Sequence, residues 1–310
     1  MFDYDDMNLI PGFCIVNSRS DCDTGIDKFR SPVILANMEC VINEEIAEKM
    51  AREGYLYIMH RYGDTFEFVQ NMNKKKLMVS ISVGVNIDSV ELLNKIIQND
   101  LNVDYITIDI AHGHCNKMRL MIEFIKNILP NTRIIAGNVC TPDGFTDLEN
   151  WGAYMIKVGI GPGQACTTYN ATGFGSRGIQ AWVIKECAKV RNTAIIIADG
   201  GIRCPGDIVK SIVLGAHFVM VGGMMSGFKD SPGKTIKIDG KLYKEFWGSV
   251  SVYQNGKTQR VEGTKKLIPF KDESVFDHMK YLIECLQSAI SYGGGKTLVD
   301  LYNVKYYIKK

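Results

Sequence analysis

Ala194-Ile195-Ile196-Ile197-Ala198-Asp199-Gly200-Gly201 decides how the rest of this chain is read. An unbroken apolar run rich in isoleucine predicts a strand buried on both faces, as in a parallel sheet clothed by helices. It ends abruptly, in a carboxylate and two glycines that cannot prolong a strand. The same grammar recurs. Apolar runs at 32–36, 55–59, 77–81, 105–109, 133–137, 154–158, 194–198 and 217–221 each lead to a polar or glycine-rich tip. The tips are Asn37, His60-Arg61, Ser82, Asp109, Gly137-Asn138, Gly159, Asp199-Gly200-Gly201 and Gly222-Gly223. Between the runs lie segments such as Ile87 to Asn99 and Met118 to Leu129, apolar at three- and four-residue steps. Pro142 and Pro205 stand where two of the helices should begin.

Eight β/α units suit a (β/α)8 barrel, and a doubly wound sheet is the rival because strand count alone closes nothing. The tips favour the barrel. A barrel gathers every strand C-terminus on one face, whereas an open sheet uses only those at its switch point. The expectation is therefore an α/β fold, a single (β/α)8 barrel domain over residues 1–310. Two connections exceed the usual length: 160–178 after strand six, and 225–270 after strand eight. The second reads as a lid, with strand-like pieces such as Lys241-Leu242-Tyr243.

Composition narrows the partners. A formal charge of +2 over 310 residues, with no long run of one sign, argues against nucleic acid and against a membrane surface. No apolar stretch approaches a membrane span, and the acidic N-terminus is unlike a signal peptide. Nine dispersed cysteines without a CxxC pair fit a reducing, cytoplasmic setting better than a disulfide framework or zinc site.

Chemistry concentrates in Gly159-Ile160-Gly161-Pro162-Gly163-Gln164-Ala165-Cys166-Thr167-Thr168. The glycines and proline exclude a helix and suit close approach of backbone to a ligand. Cys166 reads as a nucleophile presented by that loop, with a buried structural cysteine as the plain alternative. Barrels often bind phosphate between the loops after strands seven and eight, where Gly200-Gly201 and Gly222-Gly223 stand; simple turn geometry is the alternative. Asp199 is placed to accept hydrogen bonds from sugar hydroxyls. The carbonyls of Gly161, Gly163 and Cys166 could curl round a monovalent cation. Asp109-Ile110-Ala111-His112-Gly113-His114 offers two histidines, but no third metal ligand is nearby. Glu262, an acid on the lid, is either solvated or carried onto the site to move a proton. No G-x-G-x-x-G opens a helix, so a dinucleotide would bind without a Rossmann domain.

These motifs resemble the GMP reductase family. The resemblance rests on residues 109–114, Ile135 to Val139, Gly159 to Thr168, Ile197 to Arg203 and Asp239 to Lys244, with Asn17 to Ser20 and Ser291-Tyr292 extending it over nearly the whole chain. The sister IMP dehydrogenases share the barrel, the cysteine loop and Asp-Gly-Gly. They usually insert a regulatory module, and they carry an Arg-Tyr pair in the lid that is missing here. The Cys-Thr-Thr order and Asp-Ile-Ala-His-Gly-His are of the reductase type.

The resemblance implies NADPH-dependent reductive deamination of GMP to IMP and ammonia through a covalent Cys166 thioimidate, with Thr168 and Glu262 steering ammonia. It implies a nucleotide site of Asp199, Gly200, Gly201, Gly222, Gly223, Gly248, Ser249 and Val250. For the cofactor it implies Ser18, Arg19, Asp109, Ile110, Ala111 and Gly161, with Ser291 and Tyr292 donated by a neighbouring subunit of a homotetramer. For potassium it implies the carbonyls of Gly161, Gly163 and Cys166. Tyr169 departs from the family, which usually has Arg or Lys there. The competing readings are a short IMP dehydrogenase and a catalytically silent purine-nucleotide binder.

Overall fold

The computed structural model describes residues 1–249, 251 and 262–309. Val250, Gly256 and Arg260-Val261 lie outside the described residues. Seven parallel strands form one curled sheet: β2 (Val33–Leu35), β3 (Ser80–Val83), β4 (Tyr105–Asp109), β5 (Arg133–Val139), β6 (Met155–Val158), β7 (Ile195–Asp199) and β8 (Phe218–Val221). Their order is β2-β8-β7-β6-β5-β4-β3, each strand paired with its sequence neighbour except where β8 returns to β2. That cyclic order is the wall of a (β/α) barrel.

The wall differs from expectation at one seam. Residues 55–59, read as the second strand, are buried between β2 and β3 but join no ladder. Tyr57 supplies the reason. Its hydroxyl donates to Met78 O at 2.7 Å and accepts the Ser80 N–H at 3.1 Å. A phenol thus takes backbone groups that a neighbouring strand would have paired. The segment is instead stitched by Met59 N–H to Ser80 O at 3.1 Å and by Ser82 Oγ to Met59 O at 2.7 Å. For the same reason the run expected at 77–81 becomes strand only from Ser80: the Val79 N–H is taken by the Asp104 carboxylate at 2.7 Å.

Helices α1 (Glu44–Arg52), α2 (Thr65–Lys74), α3 (Ile87–Gln98), α4 (Asn116–Ile128), α5 (Pro142–Trp151), α7 (Gln180–Val190), α8 (Pro205–Val213) and α9 (Val275–Gly293) follow the strands in sequence, and a short α6 (Thr168–Thr172) stands inside the cysteine loop. Periodicity placed α3 and α4 to within two residues at either end. On α4 the buried side chains are Met118, Met121, Ile122 and Ile125, the spacing of one helical face. Pro142 and Pro205 begin α5 and α8 as expected, where a missing N–H costs nothing.

Three antiparallel strands, β9 (Thr235–Ile238), β10 (Lys241–Trp247) and β11 (Lys265–Pro269), make a small sheet within 225–270. Cys40 anchors its root: the thiol donates to Trp247 O at 3.3 Å and accepts the Trp247 N–H at 3.4 Å. The chain ends meet where β1 (Met7–Leu9) pairs antiparallel with β12 (Tyr306–Ile308). No helix among the described residues is long and apolar enough to cross a membrane.

Candidate active site

The strand tips converge on a cavity of about 900 Å3 at the C-terminal ends of the barrel strands. The cysteine loop forms one wall. Gly159, at φ +145°, begins it directly against the Asp199 carbonyl, where a β-carbon would have no space. The loop then turns so that the Cys166 N–H donates to Gly163 O at 3.0 Å.

The far limb of the lid is pinned to this loop. Thr167 N–H donates to Glu262 O at 2.9 Å, and Thr264 N–H to Ala165 O at 2.9 Å, so Gly263 bridges Cys166 as a fragment of antiparallel sheet. The bridge sets the side chains in series. Cys166 Sγ donates to Thr168 Oγ1 at 3.2 Å, and Thr168 Oγ1 donates to Glu262 Oε2 at 2.5 Å. Thr168 is buried and Glu262 half-buried, both at the cavity wall. The geometry offers a proton path from a thiol to a carboxylate through one hydroxyl.

A second lid contact comes from Tyr62, whose hydroxyl donates to Ser249 O at 2.8 Å. Gly248, Ser249 and Glu262 all line the cavity, as do Asp199, Gly200, Gly201, Gly222 and Gly223, with Gly200 packed against Pro162 and Gly163 and Gly223 against Gln164 of the cysteine loop. Asp109, Ile110, Ala111, Gly161 and Gly163 line it too. Val250 lies outside the described residues.

Four expected cofactor residues sit elsewhere in the chain's own fold. Ser18, Arg19, Ser291 and Tyr292 do not line the cavity. They gather around α9: the Arg19 guanidinium lies 5.0 Å from the centre of the Tyr292 ring and donates to its hydroxyl at 3.0 Å. Ser291 is buried, its Oγ 3.3 Å from Cys14 Sγ.

Sequence reasoning missed the lysine at the centre of the cavity's polar floor. Lys157, on β6, is only 2% exposed. Its ammonium donates to Asp109 Oδ1 at 2.6 Å, lies 3.2 Å from Asp199 Oδ2, and donates to Asn37 Oδ1 at 3.4 Å. Asn37 in turn donates to Asp109 Oδ2 at 3.1 Å, and Asn138 to Asp199 Oδ2 at 2.7 Å. Burial opposes charge on both members of the Lys157–Asp109 pair, yet their mutual attraction wins. Asp109 is held below the ordinary carboxylate range, and Lys157 above the ordinary amine range because Asp109 and Asp199 both face it. The signal was present: a lysine between Ile156 and Val158 in a strand otherwise wholly apolar.

Two other sequence features resolve plainly. His114 is a neighbour of Asp147, Nε2 to Oδ2 at 2.7 Å, and no group of three or more metal-ligating side chains occurs among the described residues. Tyr169 lies under the Arg177 guanidinium, 5.9 Å from its ring centre, while Arg177 donates to Asn170 Oδ1 at 2.8 Å. Arg177 lines the cavity, so a cation stands beside the position where the sequence lacks one.

A family model described as the IMP dehydrogenase / GMP reductase domain matches residues 1–310. The chain belongs to the IMP dehydrogenase/GMP reductase family. Members similar to it include a GMP reductase of Clostridium acetobutylicum, 48% identical over 100% of this chain and 96% of that protein. GMP reductases of Mesoplasma florum, 48% identical over 100% of this chain and 98% of that protein, and of Bacillus subtilis, 47% identical over 100% and 96%, match equally broadly. Both kinds of enzyme in the family name act on a purine nucleotide, so the cavity with its thiol and glycine cup is the place to look for that chemistry in this IMP dehydrogenase/GMP reductase family member.

Proposed function

We propose that this chain is a GMP reductase, converting GMP to IMP and ammonia at the expense of NADPH. The observation that carries the reading is the series Cys166–Thr168–Glu262, built by the backbone bridge between loop and lid. An oxidising sister enzyme must activate water, while a reductase must protonate and release an amine. A threonine hydroxyl already committed to a carboxylate suits the second task.

In this reading residues 1–310 form one barrel domain, 160–178 the catalytic loop and 225–270 the lid. Gly201, Gly222 and Gly223 offer backbone N–H groups to the GMP phosphate. Asp199 takes the ribose hydroxyls: its Oδ2 is tethered by Asn138 and Lys157, while Oδ1 has no partner among the described residues. Gly248, Ser249 and Val250 border the base.

Cys166 adds to carbon 2 of guanine as its thiol proton passes through Thr168 to Glu262. The carbon–nitrogen bond then breaks, and the amine leaves as ammonia carrying the returned proton. Because the thiol proton departs on the ammonia, the product is a neutral thioimidate on carbon 2. NADPH, when bound, would supply the hydride for this carbon. The carbon–sulfur bond then breaks, the departing thiolate takes a proton from solvent by way of Glu262 and Thr168, and IMP leaves with Cys166 restored. Asp109, Ile110, Ala111 and Gly161 would hold the cofactor, because they line the same cavity as Cys166. Ser18 and Arg19 stand with Ser291 and Tyr292 outside the chain's own cavity, an arrangement that fits a homotetramer in which the α9 cluster completes a neighbour's cofactor site. The carbonyls of Gly161, Gly163 and Cys166, oxygen donors in one tight loop, suit a potassium ion.

The test is a paired assay following reduced nicotinamide absorbance. Consumption of NADPH with GMP supports the proposal. Production of NADH from IMP and NAD, without turnover of GMP, replaces it with an IMP dehydrogenase.

A further inference from the structure

Lys157 stands between the two halves of the cavity and touches neither the thiol nor the proton path. Its ammonium meets Asp109, from β4, at 2.6 Å and Asp199, from β7, at 3.2 Å. β4 and β7 are not adjacent; β5 and β6 lie between them. The side chain must therefore cross the face of β5, and it does so over Gly137, where a β-carbon would fall 2.6 Å from Lys157 Cβ. One buried ammonium serves two carboxylates from separate strands, with Arg61 adding positive charge on the Asp109 side, where it donates to the Asp109 backbone carbonyl at 3.3 Å. Each carboxylate competes for the same three N–H donors.

We infer that Lys157 is a positioning residue that couples nucleotide binding to cofactor binding through Asp199 and Asp109. The inference rests on the functional reading above, which places the ribose on Asp199 and the cofactor against Asp109. Ribose hydroxyls donating to Asp199 relieve part of its demand on the ammonium. Lys157 then settles on Asp109, whose other oxygen is already held by Asn37 at 3.1 Å. The cofactor meets a carboxylate ordered in advance and bears less of the ordering cost. By linkage the cofactor improves nucleotide affinity by the same factor.

The test is calorimetric titration in a Cys166→Ala background, which removes covalent chemistry. GMP affinity is measured with and without saturating NADP+, and NADP+ affinity with and without GMP. We expect each ligand to tighten the other at least about fivefold, the lower end of ordinary coupling. Lys157→Met and Asp109→Asn should each bring the factor to within about twofold of one, and the double variant should do no more than either alone. Lys157→Arg, whose forked guanidinium can still span two carboxylates, should restore part of the coupling. A purely structural lysine would lower the melting temperature of Lys157→Met yet leave the factor unchanged, and that result overturns the inference. Should Lys157→Met not fold, Asp109→Asn and Lys157→Arg decide by the same criterion. Independent binding of the two ligands to the Cys166→Ala parent overturns the coupling alone. Binding of neither overturns the functional reading and the coupling with it.

Discussion

Thr168 donates its hydroxyl hydrogen to Glu262 at 2.5 Å, although 94 positions separate the two in sequence. Neither residue is placed by its own element. The contact exists because Thr167 N–H and Glu262 O, together with Thr264 N–H and Ala165 O, pair as backbone and lock the two side chains into register. A carboxylate held this way is available at each turnover without a search by a mobile side chain.

Replacing that carboxylate tests its chemical role. Glu262→Gln keeps the shape and an acceptor oxygen but removes the base, so kcat should fall about 10²- to 10⁴-fold. GMP affinity, measured by titration, should stay within about twofold. A variant with normal kcat would remove Glu262 from the proton path.

Cys166→Ala should bind GMP and turn over none of it. Peptide mass spectrometry of the unsubstituted protein, quenched in acid with GMP and digested, should show a nucleotide adduct on the Cys166 peptide. Turnover by the alanine variant would end the covalent mechanism.

His217 should give the protein a marked acid sensitivity. Burial drives its pKa down to about 4 from the ordinary 6.5, and its Nδ1 accepts the Ile196 N–H at 3.2 Å. A folded-state pKa below the unfolded one means the contribution is complete above pH 6.5 and is lost as pH falls towards 4. At roughly 1.4 kcal/mol per unit, the loss should reach about 2–3 kcal/mol. Urea unfolding at a series of pH values should show this slope, and His217→Asn, which keeps an acceptor but cannot take up the proton, should flatten it.

Tyr57→Phe isolates the seam of the barrel. Removing the hydroxyl strands the Met78 carbonyl and the Ser80 N–H in a buried setting, so stability should drop by about 2–4 kcal/mol in denaturant unfolding. The Michaelis constant for GMP should be nearly unchanged, because Tyr57 does not line the cavity. No loss of stability would mean that the seam closes without the phenol.

The legible part of this protein was the part written in local pattern. Apolar runs and their tips gave seven strands of the wall, and Pro142 and Pro205 gave helix starts. Cys166 announced itself because glycine and proline leave few other uses for a loop. Lys157 did not, because a lysine in an apolar run has no partner until Asp109 and Asp199 are brought to it. The second strand was misread because apolar content says where a segment is buried but not which groups satisfy its backbone.

What the amino-acid order determined by itself was the alternation of buried strands and amphipathic helices, with chemistry-bearing residues at the strand ends, since both follow from short-range periodicity and backbone sterics. Only the tertiary structure decided which of those residues meet. Curling of the sheet across β4 to β7 brought Asp109 and Asp199 to one ammonium. A two-residue bridge between loop and lid brought Glu262 to Thr168. The α9 cluster of Ser291 and Tyr292 was drawn away from the chain's own cavity to lie against Arg19. Each is a contact between strands or loops remote in sequence, and its energy depends on distance and burial that no single segment encodes.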